Sequence, residues 1–281
     1  NKIKKKNTKI FNNSQFFNYL VKKNKRKINN FLNKTKYCKN LNRLDFSSRD
    51  TFEKSLLIHI LCKKNSKFEL PLIYRDKITK KIPDYKRYIN KCLTIYIRNR
   101  PQKSANKLNY NMIRNTNPKI FYKVCKYFIK LGWRINLIGD DYSNLVSKLN
   151  NHKNIIFAEK YNLNKKLFDI FSMTSSKLNI TTQGGVNNLG FYSHMINVNI
   201  FPIGLFPVSS KAESIIKNER DFSLYQKIFC NGKIIKNNKD IRIFYKTNLQ
   251  KKYKVKANTG DEIFSFCRSH YLRYIKKNKN F

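Results

Sequence analysis

Arg98, Arg114 and a double-glycine turn at residues 184–185 are the features best suited to chemistry, and together they suit the holding of a diphosphate. Arg98 and Arg100 directly follow a short apolar run, and Arg114-Asn115 stands just before Pro118. Guanidinium groups bind phosphate oxygens through short, charge-assisted bonds, often in pairs. The turn lies within Lys177–Gly190, where Thr181-Thr182-Gln183 leads into Gly184-Gly185-Val186. Of the eight glycines, none precedes Gly132 and three fall at 184, 185 and 190. Glycine is thus concentrated where the backbone must turn tightly from strand to helix. A helix start presents unpaired N–H groups and the positive end of its dipole, so Thr182, Gln183, Gly184, Gly185 and Val186 could cradle a phosphate. The plain alternatives are a turn that binds nothing and arginines that are solvated surface charge.

The elements needed to position these residues are legible as an alternation. Cys92–Ile97 is a near-continuous apolar run, as in strands buried on both faces. Pro118 opens a helix through Lys130, with apolar residues at Ile120, Val124, Tyr127, Phe128 and Leu131, and Gly132 stops it. Strand 134–138 follows, with the turn Gly139-Asp140-Asp141, then helix 142–150, strand 154–158, helix 164–173 and strand 177–181. A helix over 185–193 leads to strand 195–198. Such alternation predicts right-handed βαβ units and a parallel sheet with helices on both faces. Ligands of such sheets bind beyond the C-terminal strand ends, where Arg98, Asp140, Glu159 and Thr182–Gly185 all fall. Thr259 and Glu262 have capping-box spacing, so a last helix is expected over about 260–276. The domain division expected is a basic, mainly helical region over 1–85 and an α/β domain over 86–281. The chain starts at Asn1 rather than Met, so a further N-terminal piece is also expected.

The formal net charge of +44 invites a nucleic-acid reading. Three features weaken it. The basic residues are spread along the chain. Lys outnumbers Arg by 47 to 13, whereas bidentate phosphate recognition favours Arg. Lys, Asn, Ile, Phe and Tyr also share AT-rich codons, so a biased genome gives this composition without selection for binding. Residues 1–44 nevertheless carry fourteen basic residues and no acid, which suits a peripheral contact with an anionic membrane.

Other chemistries lack their signatures. The six cysteines form no Cys-x-x-Cys pair, and the four histidines are widely spaced, so no zinc pattern appears. Cys92 and Cys125 read as buried thiols of a reducing compartment. Asp140-Asp141 reads as a helix cap rather than a metal site. Asp261 and Glu262 read as capping residues, and His194 as structural. There is no Gly-x-Ser-x-Gly elbow and no P-loop. No apolar run reaches the roughly 18 residues of a membrane helix.

Leu93-Thr-Ile-Tyr-Ile-Arg98, Ile113-Arg114-Asn115 and Gly132-Trp133-Arg134-Ile-Asn-Leu-Ile-Gly139-Asp140 resemble, in order and spacing, the motifs of a bacterial family of glycosyltransferases. Phe168-Asp-Ile-Phe171, Thr181–Leu189 and Asn258-Thr259-x-x-Glu262-Ile263 resemble later motifs of that family, so the likeness covers about 92–275. Tyr96 stands where the family has His, and Gln183 where it has Ser. The resemblance implies a Rossmann-like, GT-B-like nucleotide-sugar-binding half, similar in layout to fucosyltransferases. It implies metal-independent transfer of a sugar from a nucleotide diphosphate to a cell-envelope glycan or lipid-linked acceptor, with no cofactor beyond the donor. Arg98, Arg114, Asn115, Gly139, Asp140 and the 182–186 turn would hold the donor. The catalytic base is unassigned and expected in the N-terminal part. Such an enzyme would be cytoplasmic, at the inner face of the membrane. The competing expectation is a basic RNA-binding or ribosome-associated protein.

Overall fold

A computed structural model of the chain describes residues 72–99, 114–182, 194–200, 223–234 and 253–277, all within the compact unit Pro71–Phe281. The mainly helical region expected over 1–85 is described only from residue 72, and the expected helix over 185–193 lies outside the described residues.

Six strands form one parallel sheet among the described residues: β1 (Cys92–Ile97), β2 (Arg134–Gly139), β3 (Ile155–Ile156), β4 (Leu178–Thr181), β5 (His194–Ile200) and β6 (Ser223–Tyr225). Their spatial order is β3-β2-β1-β4-β5-β6. This is the α/β, Rossmann-like order of doubly wound nucleotide-binding sheets, which reverses direction between β1 and β4. β1, read from its apolar run as 92–97, has those bounds. A second, antiparallel sheet of β7 (Lys227–Cys230), β8 (Lys233–Ile234) and β9 (Tyr253–Lys256) was not foreseen, because its short strands mix Lys with apolar residues.

Five α-helices are described: α1 (Leu72–Thr79), α2 (Tyr122–Lys130), α3 (Ser143–Lys148), α4 (Lys165–Ser175) and α5 (Gly260–Lys277). The helix expected from Pro118 is a 3₁₀ turn over Pro118–Phe121 that becomes α2. Asn117 caps it by accepting from the Lys119 N–H at 3.0 Å. Gly132, at φ 75, ends α2 in a Schellman motif: Gly132 N–H donates to Ile129 O at 2.9 Å and Trp133 N–H to Phe128 O at 2.9 Å. The Phe128 and Trp133 rings then meet edge-on at 5.4 Å. Asn164 caps α4, accepting from the Leu167 N–H at 3.0 Å. Thr259 and Glu262 form the expected capping box on α5: Glu262 N–H donates to Thr259 Oγ1, and Thr259 N–H to Glu262 Oε2 at 2.8 Å. Those bonds and Lys227 hold the Glu262 carboxyl down at about 2, Lys227 contributing most.

Adjacent strand residues point to opposite faces. Leu93, Ile95 and Ile97 share one core with Phe121, Val124 and Phe128 of the 3₁₀–α2 segment and with Ile263 and Cys267 of α5. Thr94 instead reaches α4, donating to the Ser172 carbonyl at 2.9 Å. Helices therefore cover both faces. Outside α4, the Tyr85 ring packs on Phe171 at 5.2 Å, and Lys81 Nζ donates to the Asn162 carbonyl at 2.8 Å.

Candidate functional site

Arg98 is the node of the C-terminal edge. It follows β1 at the reversal point of the sheet and is only 4% exposed. Its backbone is held from two sides. Its N–H donates to Thr182 Oγ1 at 2.9 Å, and its carbonyl accepts from the Thr116 N–H at 2.8 Å. Thr182 extends the β1–β4 ladder, giving both its N–H and its hydroxyl to the Tyr96 carbonyl, at 3.1 and 3.2 Å. Three segments, the outer two 84 residues apart in sequence, thus meet around one arginine. Thr116 lies two residues after Arg114, so the same bond brings Arg114 and Asn115, both half-buried, to this edge.

The β2 end closes the other flank. The Asp140 N–H donates to the Ile97 carbonyl at 2.8 Å, and Asp140 Oδ2 accepts from the Asn99 N–H at 3.3 Å. This crossing demands glycine at 139. Its φ is 103, and an added Cβ would lie 2.2 Å from the Ile97 carbonyl oxygen and 2.9 Å from the Tyr96 ring. Asp140 therefore ties β2 to the loop after β1 rather than capping α3. The N-cap position of α3 is Tyr142, which makes no side-chain cap bond, and Asp141 just before it accepts through Oδ1 from the Ser143 N–H at 3.1 Å and hydroxyl at 2.6 Å. Those bonds lower its pKa, the hydroxyl bond first.

Several residues that sequence reasoning did not single out complete the edge. Asn199 sits at φ 50 at an irregularity in the β5–β6 pairing, a conformation asparagine tolerates better than most residues. Its Oδ1 accepts from the Asn258 N–H at 3.2 Å, and its Nδ2 donates to Thr116 Oγ1 at 3.5 Å. Gln226 Nε2 donates to the Asn199 carbonyl at 3.4 Å. One asparagine thus joins the end of β5 to the loop carrying Arg114 and to the start of α5. The signal was present in Ile196-Asn-Val-Asn-Ile200, where asparagines interrupt a buried strand.

Carboxyls gather near the ends of β2 and β3. Tyr142 donates its hydroxyl to Glu159 Oε2 at 2.5 Å, and Lys165 lies 3.5 Å from Glu159 Oε1. Burial opposes ionisation of Glu159, but these two partners bring its pKa below the ordinary carboxylate value. Asp169 of α4 behaves oppositely. Burial pushes its carboxyl up to about 7, against the pull of Lys165 and of a hydrogen bond from the Gly139 backbone. An acid within the apolar run Leu167-Phe-Asp-Ile-Phe171 was its sequence signal.

The edge therefore collects Arg98, Arg114, Asn115, Gly139, Asp140 and Thr182. Gln183, Gly184, Gly185 and Val186 lie outside the described residues, as does Arg100. Chemically, one buried and one half-buried arginine lie beside a strand reversal, the setting in which α/β sheets hold phosphorylated ligands. Among the described residues no cluster of His, Cys, Asp or Glu could hold a metal ion, and no helix is long and apolar enough to cross a membrane. Comparison with family models, curated protein sequences and solved structures found no match.

Proposed function

We propose that the chain is a glycosyltransferase that binds a nucleotide-diphosphate sugar at the C-terminal edge of its sheet and transfers the sugar to a cell-envelope glycan or lipid-linked acceptor. The observation that carries this reading is the position of Arg98: almost fully buried, at the strand reversal, with its backbone fixed by Thr182 and Thr116. A guanidinium so placed meets a diphosphate without first being ordered, and stabilises the negative charge that develops as the sugar–phosphate bond breaks. Arg114 would share that charge from the neighbouring loop. A GT-B-like layout accords with the 3-2-1-4-5-6 strand order, and the motif resemblance adds the sugar-transfer chemistry.

Calorimetry with nucleotide-sugars at low and high salt tests the reading. Arg98→Ala removes one charge-assisted contact, about 1.5–3 kcal/mol, so donor affinity should fall roughly ten- to a hundred-fold. RNA affinity should barely change, because diffuse phosphate neutralisation is shared by all 60 Lys and Arg residues. A parent chain that binds RNA tightly and no nucleotide-sugar would replace this reading with a nucleic-acid-binding one.

A further inference from the structure

We infer that Arg134 forms a second ligand site, at the opposite edge of the sheet, that takes a small oxyanion: the phosphate or carboxylate group of a metabolite. Arg134 is the first residue of β2 and pairs in register with Cys92, the first residue of β1. It therefore marks the N-terminal edge, about 17 Å along the strand from Gly139 at ~3.3 Å per residue. This site stands independently of the proposed donor site.

The argument starts from an unbalanced charge. Arg134 is 5% exposed, and its Nε and Nη1 are buried with no hydrogen-bond partner among the described residues. The guanidinium lies 4.2 Å from the centroid of the Tyr88 ring, which supports one flat face but accepts none of its in-plane donors. Among the described residues no carboxylate forms an ion pair with it. The groups that sense its charge are Tyr85, Cys92 and Lys160. Burial holds the Tyr85 phenol and the Cys92 thiol neutral, up at about 12 and about 11. Lys160 is a second cation, held at this edge by a bond from its Nζ to the Ile155 carbonyl at 3.1 Å.

The end of α4 does not resolve the imbalance. Its negative dipole end favours a nearby cation. Its Ser172 carbonyl, however, already accepts from Thr94 and from the Ser176 N–H, and its Met173 carbonyl from Asn179. Two cations at one edge, with guanidinium donors that meet no acceptor among the described residues, fit an external anion. Nη2 shares a donor edge with each of the two unpartnered nitrogens, so an oxyanion on either edge takes two parallel bonds. The Lys160 ammonium has two further donors.

The test uses the full chain and inorganic phosphate, titrated at constant ionic strength in a non-phosphate buffer, with melting followed by the fluorescence of Trp133, the one tryptophan. The parent should show a saturable rise in melting temperature. Arg134→Met removes the charge and keeps an unbranched apolar side chain. It should melt higher than the parent without phosphate, and its phosphate affinity should fall at least about tenfold, one charge-assisted bond's worth. Lys160→Ala, at an exposed position, should retain the fold and weaken phosphate binding several-fold. Arg98→Ala should keep the saturable rise. An Arg134→Met chain that unfolds, or melts below the parent without phosphate, shows the guanidinium to be satisfied by the protein and overturns the proposal. So does a response that Arg98→Ala abolishes while Arg134→Met and Lys160→Ala retain it, since phosphate would then bind at the C-terminal edge.

Discussion

On the α2 side of the sheet, Leu93, Ile95, Ile97, Ile135, Leu137, Leu178, Ile180, Ile196 and Val198 pack into one apolar core. On the α4 side of the same strands, beside Cys92, Tyr96 and Ile138, stand Thr94, Arg134, Asn136, Asn179, Thr181 and Asn197, also buried. Here the contacts are directional. The hydroxyls of Thr94 and Ser176 lie 2.6 Å apart. Asn179 Nδ2 donates to the Met173 carbonyl at 2.9 Å, Thr181 donates to Asn197 Oδ1 at 2.7 Å, and Asn197 Nδ2 donates to Ser223 at 3.3 Å. Apolar burial stabilises by about 1.5–3 kcal/mol per large side chain whatever the orientation. A hydrogen bond nets only about 0.5–1.5 kcal/mol but tolerates little displacement. The first face supplies most of the stability. The second fixes which strand residue meets which neighbour, and it carries the buried charge of Arg134.

The largest effect should come from emptying the apolar face. Phe128 is fully buried and meets Tyr127, Trp133 and Tyr271 edge-on, at 5.4, 5.4 and 5.0 Å. Phe128→Ala should cost about 3–5 kcal/mol in urea unfolding. It should also loosen the Schellman end of α2, since Trp133 loses its partner. A cost under about 1 kcal/mol would show that the two faces do not divide the work as described.

A smaller effect, opposite in sign, is expected at Asp169 on the polar side. Burial is the main cause of its rise to about 7; Glu159 and Asp140 add to it, and Lys165 and the Gly139 amide oppose it. In the unfolded chain an aspartate ionises near ~3.9. Between those values the folded chain holds a proton that the unfolded chain has released. The stability associated with neutral Asp169 is therefore complete at the acid end and is lost as pH rises to about 7. Asp169→Asn keeps an acceptor for the Gly139 amide without the charge. It should match the parent near pH 4 and exceed it near pH 8 by on the order of 2–4 kcal/mol. Urea unfolding at three pH values checks this, and a difference independent of pH would rule out a titrating Asp169.

Period and punctuation made the α2 side legible in the sequence. The run Cys92–Ile97, the Pro118 start, the Gly132 stop and the Thr259–Glu262 box each depend on local chemistry, and each appears where the residues place it. Arg98 and Thr182 were legible as strand-end residues because a parallel sheet puts every C-terminal strand end on one edge. The ties that hold the edge together were not. Asn199 reaches Thr116 across 83 residues and Asn258 across 59, and no local pattern announces such a partner. Arg134 read only as the first residue of a strand, because its burial beside Tyr88 depends on the segment before β1 packing back onto the start of β2. The antiparallel β7–β9 pairing joins segments more than twenty residues apart, with Lys227 facing Lys256 at one end of the register.

The smallest effect should come from silencing one directional contact without changing shape. Thr94→Val replaces a hydroxyl by a methyl at a fully buried position beside α4. The Ser172 carbonyl keeps the Ser176 N–H at 3.2 Å, so it is not stranded, whereas the Ser176 hydroxyl keeps only a 3.5 Å contact with Cys92. The expected cost is therefore about 1–2 kcal/mol, despite the more apolar side chain. It should be felt locally, as faster amide exchange at the C-terminal turn of α4, with α2 unchanged. If Thr94→Val instead stabilised the protein and left exchange in α4 alone, the polar side of the sheet would be an apolar interface in all but composition. The contrast between the two faces would then rest on Arg134 and Asp169 alone.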